Sequence, residues 1–599
     1  MSNIVKLALA SPKIKLCVPE YNSEICVNCA KGAAENGANF IVFPELALTG
    51  ATCGDLFFHK PLLEGAKSAL LKYAEETSEL AITSFIGLPF CFDGVIYNTV
   101  AIVRQGKILG FAASKKDSRH FERVGGKALK VEFAGEAISL SENVICTDSA
   151  TCARIFVKIG DEDATLAGDV DIILNPTAMP EYVGLAKLRD EYAMSLSREL
   201  ILTYATVGAG TGESGTDGIY AGARVVSQNG KILNSAKLFC EENIYAEIDI
   251  SNKETSDIEF SEKEENRRFP FIPSASAEKK EAASLAIEIQ ARALALRMER
   301  AYAKCAVIGV SGGLDSTLAV LVAAKAADIL NRDRKTILAI TMPCFGTTER
   351  TKSNALSLAE ELGCSVRTID IKASVTQHFS DISHKEDNYD VVYENAQARE
   401  RTQILMDVAN AVSGIVIGTG DLSELALGFA TYNGDHMSMY CVNGSVPKTF
   451  MREIIKNEAE KYKLLGQDKL AKVLIDVVET PVSPELMPLS DGENKQHTES
   501  IVGPYELHDF FIYHMIKYRR SPKELFSLAK EVFSEYPSDE IKKYLVIFIR
   551  RFFSQQFKRS CLPDGPRVTE ITLSPRGSWQ MPSDVSGEIW LNELISDED

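Results

Sequence analysis

The chain alternates short apolar runs with helical patterns, and in its first half some of the apolar runs are joined as hairpins. One example combines Tyr97–Arg104, the turn Gln105-Gly106 and Lys107–Phe111. Such hairpins between helical stretches predict a layered αββα sandwich rather than one parallel sheet. The other runs that we interpret as strands are Ile4–Leu9, Phe40–Phe43, Ile82–Leu88, Asn98–Val103, Ile155–Ile159, Asp171–Leu174 and Leu200–Val207.

The second half has a different pattern, in which single strands alternate with helices. A charged stretch, Asp249–Arg268, and the following Phe269–Pro273 predict a linker, and a helix is predicted from about Ala277 to Cys305. The later pattern predicts a doubly wound parallel sheet with a helical C-terminal part. Its strands lie near Lys335–Thr341, Ser365–Ile371 and Gly414–Gly418, and the helical part runs from 503 to about 557. We expect domains at 1–255 and 277–599, with a linker at 256–276.

Composition narrows the class of protein. At 599 residues the chain is long enough for more than one domain, and 45% apolar and 25% charged residues are typical of a globular protein. The net charge of −18 argues against nonspecific binding to nucleic acid, because no basic surplus displaces counterions. No apolar run reaches the roughly 18 residues that a membrane-spanning helix needs. The 13 cysteines are scattered, so we expect reduced thiols and a cytoplasmic protein.

The segment Ser311-Gly-Gly-Leu-Asp-Ser316 carries the most specific chemical signal. It follows the apolar run 306–310 and opens a helical pattern. Glycines between a strand and a helix let backbone N–H groups approach a polyanion at the positive end of the helix. No Gly-Lys-Ser/Thr follows, which excludes the Walker pattern. The loop resembles that of enzymes which split ATP into AMP and pyrophosphate, and Asp315 can hold Mg²⁺ against the phosphates.

Polar groups also follow the strand Gly414–Gly418, at the edge where such sheets bind ligands. Thr419 can bond ribose or phosphate, and Glu424 can ligate the same ion as Asp315. The segment Phe429–His436 mixes aromatic rings with amide and carboxylate groups, which suits the stacking and recognition of a base.

Two further segments offer donors. Asn395 and Arg399 lie one helical turn apart and therefore share a helix face, and Lys558 can donate to carboxylate or phosphate. Taken singly, each of these segments is more often a solvated loop or a helix cap. Their coincidence with the glycine loop favours a nucleotide site.

From about residue 304 to 583 the chain resembles bacterial NAD⁺ synthetases of the long, glutamine-dependent type. The matching segments are SGGLDST, MPCFGTTERTK, YENAQARERTQILMD, GTGDLSELALGFATYNGDHMSMY, VGPYELHDFF and RFFSQQFKRSCLPDGP. In that family the carboxylate of deamido-NAD⁺ attacks the α-phosphate of ATP, and ammonia then displaces AMP from the adenylate. One departure is Cys344, where the family usually has glycine, which is tolerable unless that position needs a positive φ.

The resemblance implies ATP as co-substrate, Mg²⁺ held near Asp315 and Glu424, and catalysis by positioning and charge neutralisation, with Asp315 as the catalytic residue. It implies that ATP is bound by Gly309, Val310, Ser311, Gly312, Gly313, Leu314, Asp315, Ser316 and Thr419. It implies that deamido-NAD⁺ is bound by Asn395, Glu424, Phe429, Ala430, Thr431, Tyr432 and Lys558, and we add Arg399, which shares the helix face of Asn395.

The first half resembles nitrilase-type amidases, which supply this family with ammonia by hydrolysing glutamine. They use a Glu base, a Lys that stabilises the oxyanion and a Cys nucleophile. The segment Phe43–Gly50 presents Glu45 after a strand, as that family does. The family's lysine position falls on Ser114, however, and its cysteine position, directly after the strand Arg154–Ile159, falls on Gly160. Glu45 is therefore interpreted as the remnant of a glutaminase base.

The glutamine pocket is altered as well. Where the family has Asn-x-Ser-x-Ser and then a basic residue, this chain has Asn175-Pro-Thr-Ala-Met179 and Leu185, and neither Met nor Leu can bond charged groups. We therefore predict a retained fold with lost glutaminase chemistry. The alternative left open is that Lys115 replaces the lysine, or that Cys152 or Cys146 is recruited as nucleophile.

The resulting prediction is an NAD⁺ synthase that uses free ammonia, or ammonia from a separate protein, although the usual donor of the family is glutamine. Two other functions stay open: an amidoligase of the same adenylating type that acts on another carboxylate, and a noncatalytic scaffold subunit. The intact loop with Asp315 and Glu424 argues against the scaffold. The resemblance also implies a homo-oligomer, commonly an octamer. We expect neither nucleic acid nor membrane as a partner.

Overall fold

The structure is a computed structural model that describes residues 4–148, 151–161, 169–257, 266–345, 349–480 and 503–595, with the backbone alone for 349–352 and 595. The chain divides into two units. The first consists of Met1–Glu181, Leu185–Ser214 and Ile219–Glu262, and the second of Tyr182–Gly184, Gly215–Gly218 and Lys263–Asp599. Within the described residues, no helix has the length and apolar character to cross a bilayer.

Two sheets form the framework of the first unit. Their strands are β1 (Ile4–Leu9), β2 (Phe40–Val42), β3 (Thr83–Phe92), β4 (Val95–Arg104), β5 (Lys107–Ala113), β6 (Leu129–Phe133), β7 (Glu136–Ser141), β8 (Ile145–Thr147), β9 (Arg154–Val157), β10 (Ile172–Thr177), β11 (Thr203–Gly208), β12 (Arg224–Gln228), β13 (Lys231–Ser235) and β14 (Ile244–Asp249). The larger sheet has the order β14-β1-β2-β3-β4-β5-β7-β6, and the smaller one β13-β12-β11-β10-β9-β8. The predicted hairpin β4–β5 is present, and its turn has positive φ at Gln105 and Gly106.

Helices cover the outer faces of both sheets in the first unit. They are α1 (Pro19–Glu35), α2 (Lys60–Glu76) and α3 (Leu185–Glu199), with a 3₁₀ turn at Gly54–Phe58. In β1, Val5 and Leu7 pack in the core between the sheets, whereas Ala8 packs in the core beneath α1 and α2. A third core contains β10 and α3 residues. Because both faces of the central strands are covered, strands such as β10 and β11 are almost wholly buried. The predicted αββα sandwich is confirmed.

The second unit contains a parallel sheet. Its strands are β15 (Cys305–Gly309), β16 (Ile337–Thr341), β17 (Ser365–Thr368), β18 (Gly414–Gly418) and β19 (Tyr440–Cys441), in the order β17-β16-β15-β18-β19. Its helices are α4 (Ser276–Arg300), α5 (Leu314–Ile329), α6 (Glu349–Glu361), α7 (Lys372–Asp381), α8 (Val391–Ala411), α9 (Leu422–Leu427), α10 (Lys448–Leu464), α11 (Asp468–Glu479), α12 (Tyr505–Lys517), α13 (Pro522–Val532), α14 (Ser538–Ser554), α15 (Gln556–Arg559) and α16 (Glu588–Ile595), with a 3₁₀ turn at Arg334–Thr336. The predicted doubly wound sheet and helical C-terminal part are confirmed. The strand order reverses between β15 and β18, where such sheets bind ligands.

Some predicted boundaries are wrong, and local backbone conformation explains them. The helix predicted to Cys305 ends at Arg300, because Tyr302 adopts a positive φ of 53° and Cys305 already begins β15. The strand predicted from Leu200 begins at Thr203, since Ile201 has a φ of 52°. Residues 258–265 of the predicted linker lie outside the described part of the chain.

His514 in α12 makes the stability of the second unit depend on pH. It is buried, and neither ring nitrogen has a hydrogen-bond partner among the described residues. Burial, assisted by the positive charges of Arg520 and Lys517, lowers its pKa from 6.5 to about 4. The unfolded chain therefore binds the proton more readily between these values, and stability is lost as the pH falls through this window, at up to about 1.4 kcal/mol per pH unit.

We expect His514→Phe to flatten this loss of stability between pH 6.5 and pH 4. The measurement is urea unfolding followed by tryptophan fluorescence, because both tryptophans of the chain, Trp579 and Trp590, lie in the second unit. His378→Phe, at an exposed position of α7, is the control and should leave the profile unchanged. An unaltered acid profile in the His514 variant would contradict the assignment.

Candidate active site

The glycine loop joins β15 to α5. Gly312 has a φ of 88°, a conformation that favours glycine, and Gly313 is the N-cap of the helix. The Ser311 hydroxyl accepts a hydrogen bond from the Gly313 N–H (3.3 Å), and the Ser316 hydroxyl donates to the Gly313 carbonyl (3.3 Å). These bonds hold the turn in shape. The predicted ATP-binding residues Gly309, Val310, Ser311, Gly312, Gly313, Leu314, Asp315 and Ser316 thus form one strand–turn–helix joint.

Three carboxylates surround one buried lysine beside this loop. The Lys448 ammonium lies 2.7 Å from Asp315, 2.6 Å from Asp421 and 2.9 Å from Glu424, and its side chain is 1% exposed. Three helix N-termini meet here, since Asp315 is in the first turn of α5, Asp421 caps α9 and Lys448 begins α10. The positive ends of the helices favour the carboxylates, and the lysine neutralises part of the remaining charge.

Burial and the charges of neighbouring groups shift the pKa values of the acidic and basic side chains in this cluster. Burial, with repulsion from Asp315, raises the pKa of Glu424 to about 7, and burial also raises the pKa of Asp421. Burial alone would lower the pKa of Lys448, but attraction to Asp315, Asp421 and Glu424 outweighs it and raises that pKa. The cluster therefore retains an ammonium ion and an excess of acidic groups.

The cluster has the ligand chemistry of a magnesium site. One oxygen from each of Asp315, Asp421 and Glu424 lies within 4.8 Å of the others. Carboxylate oxygens are the ligands that Mg²⁺ prefers. The residues therefore fit the predicted ion, and Asp421 joins the two ligands predicted from the sequence.

A cavity opens beside the cluster at the carboxyl end of β18. Three of the predicted ligand residues, Thr419, Glu424 and Ala430, line it. The rest of the lining consists of Gly418, Gly420, Leu425, Asp435, His436, Ser438, Cys441 and Leu562. The cavity and the carboxylate cluster thus share Glu424.

The other predicted dinucleotide residues are bonded to one another. The Thr431 hydroxyl donates to Asn395 Oδ1 (2.8 Å), and the Arg399 guanidinium donates twice to the Tyr432 carbonyl (both 3.3 Å). The ammonium of Lys558 donates to the carbonyls of Gly428 (2.7 Å) and Ala430 (2.6 Å). The structure therefore brings α8, the segment after α9 and α15 together.

Phe429 and Cys344 are the last two residues of the second unit that the sequence analysis singled out. The Arg551 guanidinium lies 5.7 Å from the centre of the Phe429 ring. Cys344 is buried and is not among the described residues with positive φ, so a side chain is tolerated there. Residues 346–348 and the side chains of 349–352, which belong to the same segment as Cys344, lie outside the described part.

Sequence reasoning missed Asp421 and Lys448 as candidate site residues. Asp421 precedes Glu424 by three positions, which is a capping pattern, and its carboxylate accepts from the Glu424 N–H (2.7 Å). Lys448 begins a helix, where a positive charge is unfavourable, and such a placement could have indicated acidic partners. His436, by contrast, belongs to the segment Phe429–His436 that the sequence predicted for base recognition, and it lines the cavity.

In the first unit, Gly160 stands beside Glu45. Gly160 has a φ of 69°, and a Cβ added there would meet Glu45 Oε2 at 3.6 Å. Asn98 Nδ2 donates to the other carboxylate oxygen of Glu45 (2.6 Å), and the Gly160 carbonyl accepts from Lys158 Nζ (3.1 Å). Gly160, which follows Val157 at the end of β9 by three residues, thus faces the predicted base but carries no side chain.

The other residues considered for the glutaminase site lie at different places relative to Gly160. Ser114 is buried, and its N–H donates to the Asn98 carbonyl (2.9 Å). The Lys115 ammonium lies 5.2 Å from the centre of the Phe156 ring, on the side of the smaller sheet that α3 covers. Cys146 pairs with Ile155 near the start of β9, and Cys152 precedes the same strand. Both thiols are therefore at the end of β9 opposite to Gly160.

The residues at the positions predicted for the glutamine pocket differ in their surroundings. The Asn175 amide donates to the Tyr204 hydroxyl (2.6 Å), Met179 is 45% exposed, and Leu185 is buried at the start of α3. Glu213 is buried and accepts hydrogen bonds from Ala51 and Thr52. Burial raises the pKa of Glu213.

Comparison with known proteins assigns a family to each half of the chain. The sequence model of the NAD synthase family matches residues 287–535, and that of the carbon-nitrogen hydrolase family matches residues 6–255. Among solved structures, the glutamine-dependent NAD(+) synthetase of Cytophaga hutchinsonii has a similar fold, with a TM-score of 0.80 over 99% of this chain and all of its own, at 19% identity.

Proteins named glutamine-dependent NAD(+) synthetase are also similar in sequence over nearly the full length. The one from Mycobacterium leprae is 33% identical over 98% of this chain and 97% of its own, and the one from Aquifex aeolicus is 26% identical over 97% and 99%. This identity and coverage show that the chain belongs to the family of glutamine-dependent NAD(+) synthetases.

Proposed function

We propose that this ligase is an NAD⁺ synthase that takes its nitrogen from ammonia and does not hydrolyse glutamine. Membership of the family gives the synthase activity with ATP as co-substrate. The observation that carries the finer proposal is Gly160, which faces Glu45 at the position where a nucleophilic thiol is needed.

In the proposed reaction, the carboxylate of deamido-NAD⁺ attacks the α-phosphate of ATP, and pyrophosphate leaves. Ammonia then attacks the acyl carbon, loses a proton and expels AMP, which leaves the amide of NAD⁺. The loop Gly309–Ser316 binds the phosphates, Lys448 neutralises charge, and the residues around Asn395 and Lys558 hold the dinucleotide. Mg²⁺, when bound by Asp315, Asp421 and Glu424, neutralises charge on the phosphates.

The loss of glutamine hydrolysis follows from the chemistry of amide cleavage. Glutamine hydrolysis in a nitrilase-type site requires a thiol that forms a thioester and a cation that stabilises the oxyanion. Removal of one member of such a unit costs about as much as removal of all of them. Glu45, whose carboxylate accepts a hydrogen bond from Asn98, therefore faces a position that lacks the nucleophile this chemistry requires.

The test compares ammonium and glutamine as the sole nitrogen source in steady-state synthesis of NAD⁺, with glutamate and AMP measured in parallel. We expect synthesis with ammonium and no glutamate above background with glutamine. Glu45→Gln should leave the ammonium-driven rate unchanged, since the base serves no step there. Glutamate released at the rate of NAD⁺ formation would overturn the proposal.

A second experiment tests which carboxylate is the substrate. Purified protein receives ATP, Mg²⁺ and ammonium with deamido-NAD⁺ or with a panel of other carboxylates, and pyrophosphate release is followed. We expect release with deamido-NAD⁺ well above release with every other acid. Preference for another acid would make the protein an amidoligase of different specificity, and nucleotide binding without any release would indicate a scaffold.

A further inference from the structure

Cys561 carries an exposed thiol next to a histidine and a tyrosine. Its Sγ lies 3.6 Å from Nε2 of His436 and 3.4 Å from the carbonyl oxygen of Lys558. The imidazole is buried and stacks on the Tyr432 ring, with the ring centres 5.0 Å apart. Electrostatic interaction and hydrogen bonding with the neighbouring Cys561 sulfur raise the pKa of the Tyr432 hydroxyl. The thiol therefore has two potential hydrogen-bond donors beside it.

The backbone determines which nitrogen of His436 carries the proton. The N–H of Asn433 donates to Nδ1 of His436 (2.9 Å), so Nδ1 is an acceptor and the neutral ring has its proton on Nε2. Burial and the positive charge of Lys558 lower the pKa of His436, which keeps the ring neutral. The Nε2–H group therefore points its hydrogen at Cys561, and a thiolate accepts such a bond better than a thiol.

This thiol is adjacent to two residues that line the cavity at the carboxyl end of β18. His436 and the next residue, Leu562, line the cavity together with Ala430. The Phe557 ring, one helical turn before Cys561, lies 5.4 Å from the Tyr432 ring. A group attached to the Cys561 sulfur would therefore occupy space next to the segment Phe429–Tyr432.

We propose that Cys561 is a modification site for small-molecule disulfides, and that the mixed disulfide blocks access to the neighbouring cavity. The Cys561 thiolate attacks one sulfur of the disulfide, a new S–S bond forms, and the old one breaks. The leaving thiolate takes up the proton that Cys561 lost, so atoms and electrons balance. The expected effect on synthesis rests on the proposed function, whereas the modification itself does not.

The first experiment measures modification of the full-length protein by mass spectrometry of its peptides. The protein is treated with limiting oxidised glutathione or iodoacetamide, and the exposed cysteines Cys91 and Cys152 serve as internal references. We expect Cys561 to react roughly tenfold faster than either reference, the order expected from one hydrogen bond to an ionised group. Equal rates at all three cysteines would overturn the proposal.

A variant of the histidine separates hydrogen bonding from mere exposure. In His436→Asn the shorter side chain can still accept from the Asn433 N–H but cannot reach the sulfur. The rate at Cys561 should fall about tenfold, to that of Cys91, while the rates at the references stay unchanged. An unaltered rate at Cys561 would show that the imidazole does not activate it.

The second experiment follows ammonium-driven synthesis after treatment with oxidised glutathione. We expect loss of activity in step with the Cys561 adduct, recovery with dithiothreitol, and protection by deamido-NAD⁺. Cys561→Ser, compared with its own untreated sample, should resist, whereas Cys91→Ser should remain sensitive. Full activity of protein modified at Cys561 would refute the block. A protein with no activity before treatment would instead refute the proposed function, and the peptide analysis would still decide the modification.

Discussion

Asp315→Asn is expected to lower the rate of AMP and pyrophosphate formation by about a thousandfold, the order observed when one preorganised group that stabilises charge is removed. Asp315 is one of three carboxylates within 4.8 Å of one another, in the first turn of α5 beside the glycine loop. Asparagine has the same shape and still accepts from Lys448, so the fold should be retained. The measurement is pyrophosphate release with ATP, Mg²⁺, deamido-NAD⁺ and ammonium.

The matched control for this variant is Asp328→Asn, at the far end of the same helix. Asp328 pairs with Arg334 and is half exposed. Asp328→Asn should keep nearly the full rate, because this carboxylate lies at the end of α5 opposite to the glycine loop. A rate within tenfold of the unaltered protein for Asp315→Asn would contradict the assignment of the cluster.

Lys448→Met is expected to destabilise the second unit by about 3–5 kcal/mol in the presence of a chelator, because it removes the cation from a buried group of carboxylates. Asp315, Asp421 and Glu424 would then repel one another without compensation. Millimolar Mg²⁺ should restore part of the loss, since a divalent ion can neutralise the same oxygens. Urea unfolding followed by tryptophan fluorescence, with and without Mg²⁺, measures both effects.

The control for Lys448 is Lys456→Met, on the same helix α10. Lys456 is half exposed and pairs with Glu453 at 3.0 Å, so its removal should change the free energy of unfolding by less than about 0.5 kcal/mol. Stability of Lys448→Met equal to that of the unaltered protein in chelator would show that the carboxylates do not need the ammonium. Absence of any response to Mg²⁺ would count against the ion site.

The parts of the fold predicted well are those in which local pattern and tertiary packing agree. The hairpin around Gln105-Gly106 has a turn that only a few residue types adopt, and β18 matches the predicted Gly414–Gly418 at both ends. Predictions were wrong at ends such as Arg300 and Thr203. There a single residue with positive φ ends or delays an element, and apolar periodicity carries no signal for it.

The glycine loop, Asp315 and Glu424 could be found from the sequence because their chemistry lies in contiguous segments. Lys448 could not, because it lies 133 residues from Asp315 in the chain and becomes its partner only when the N-termini of α5, α9 and α10 meet. His436 and Cys561 are likewise 125 residues apart. Contacts of this range depend on packing, which no local spacing encodes.

The amino-acid sequence by itself determined the two α/β units, the glycine loop between β15 and α5, and the absence of cysteine at position 160, because these depend on residue identity and on short-range pattern. Tertiary structure alone decided that Gly160 faces Glu45, that a lysine completes the carboxylate cluster, and that a thiol meets an imidazole beside the cavity. The physical reason is that side chains act through distance and direction in space, and chain folding sets both by bringing remote helix ends and loops together.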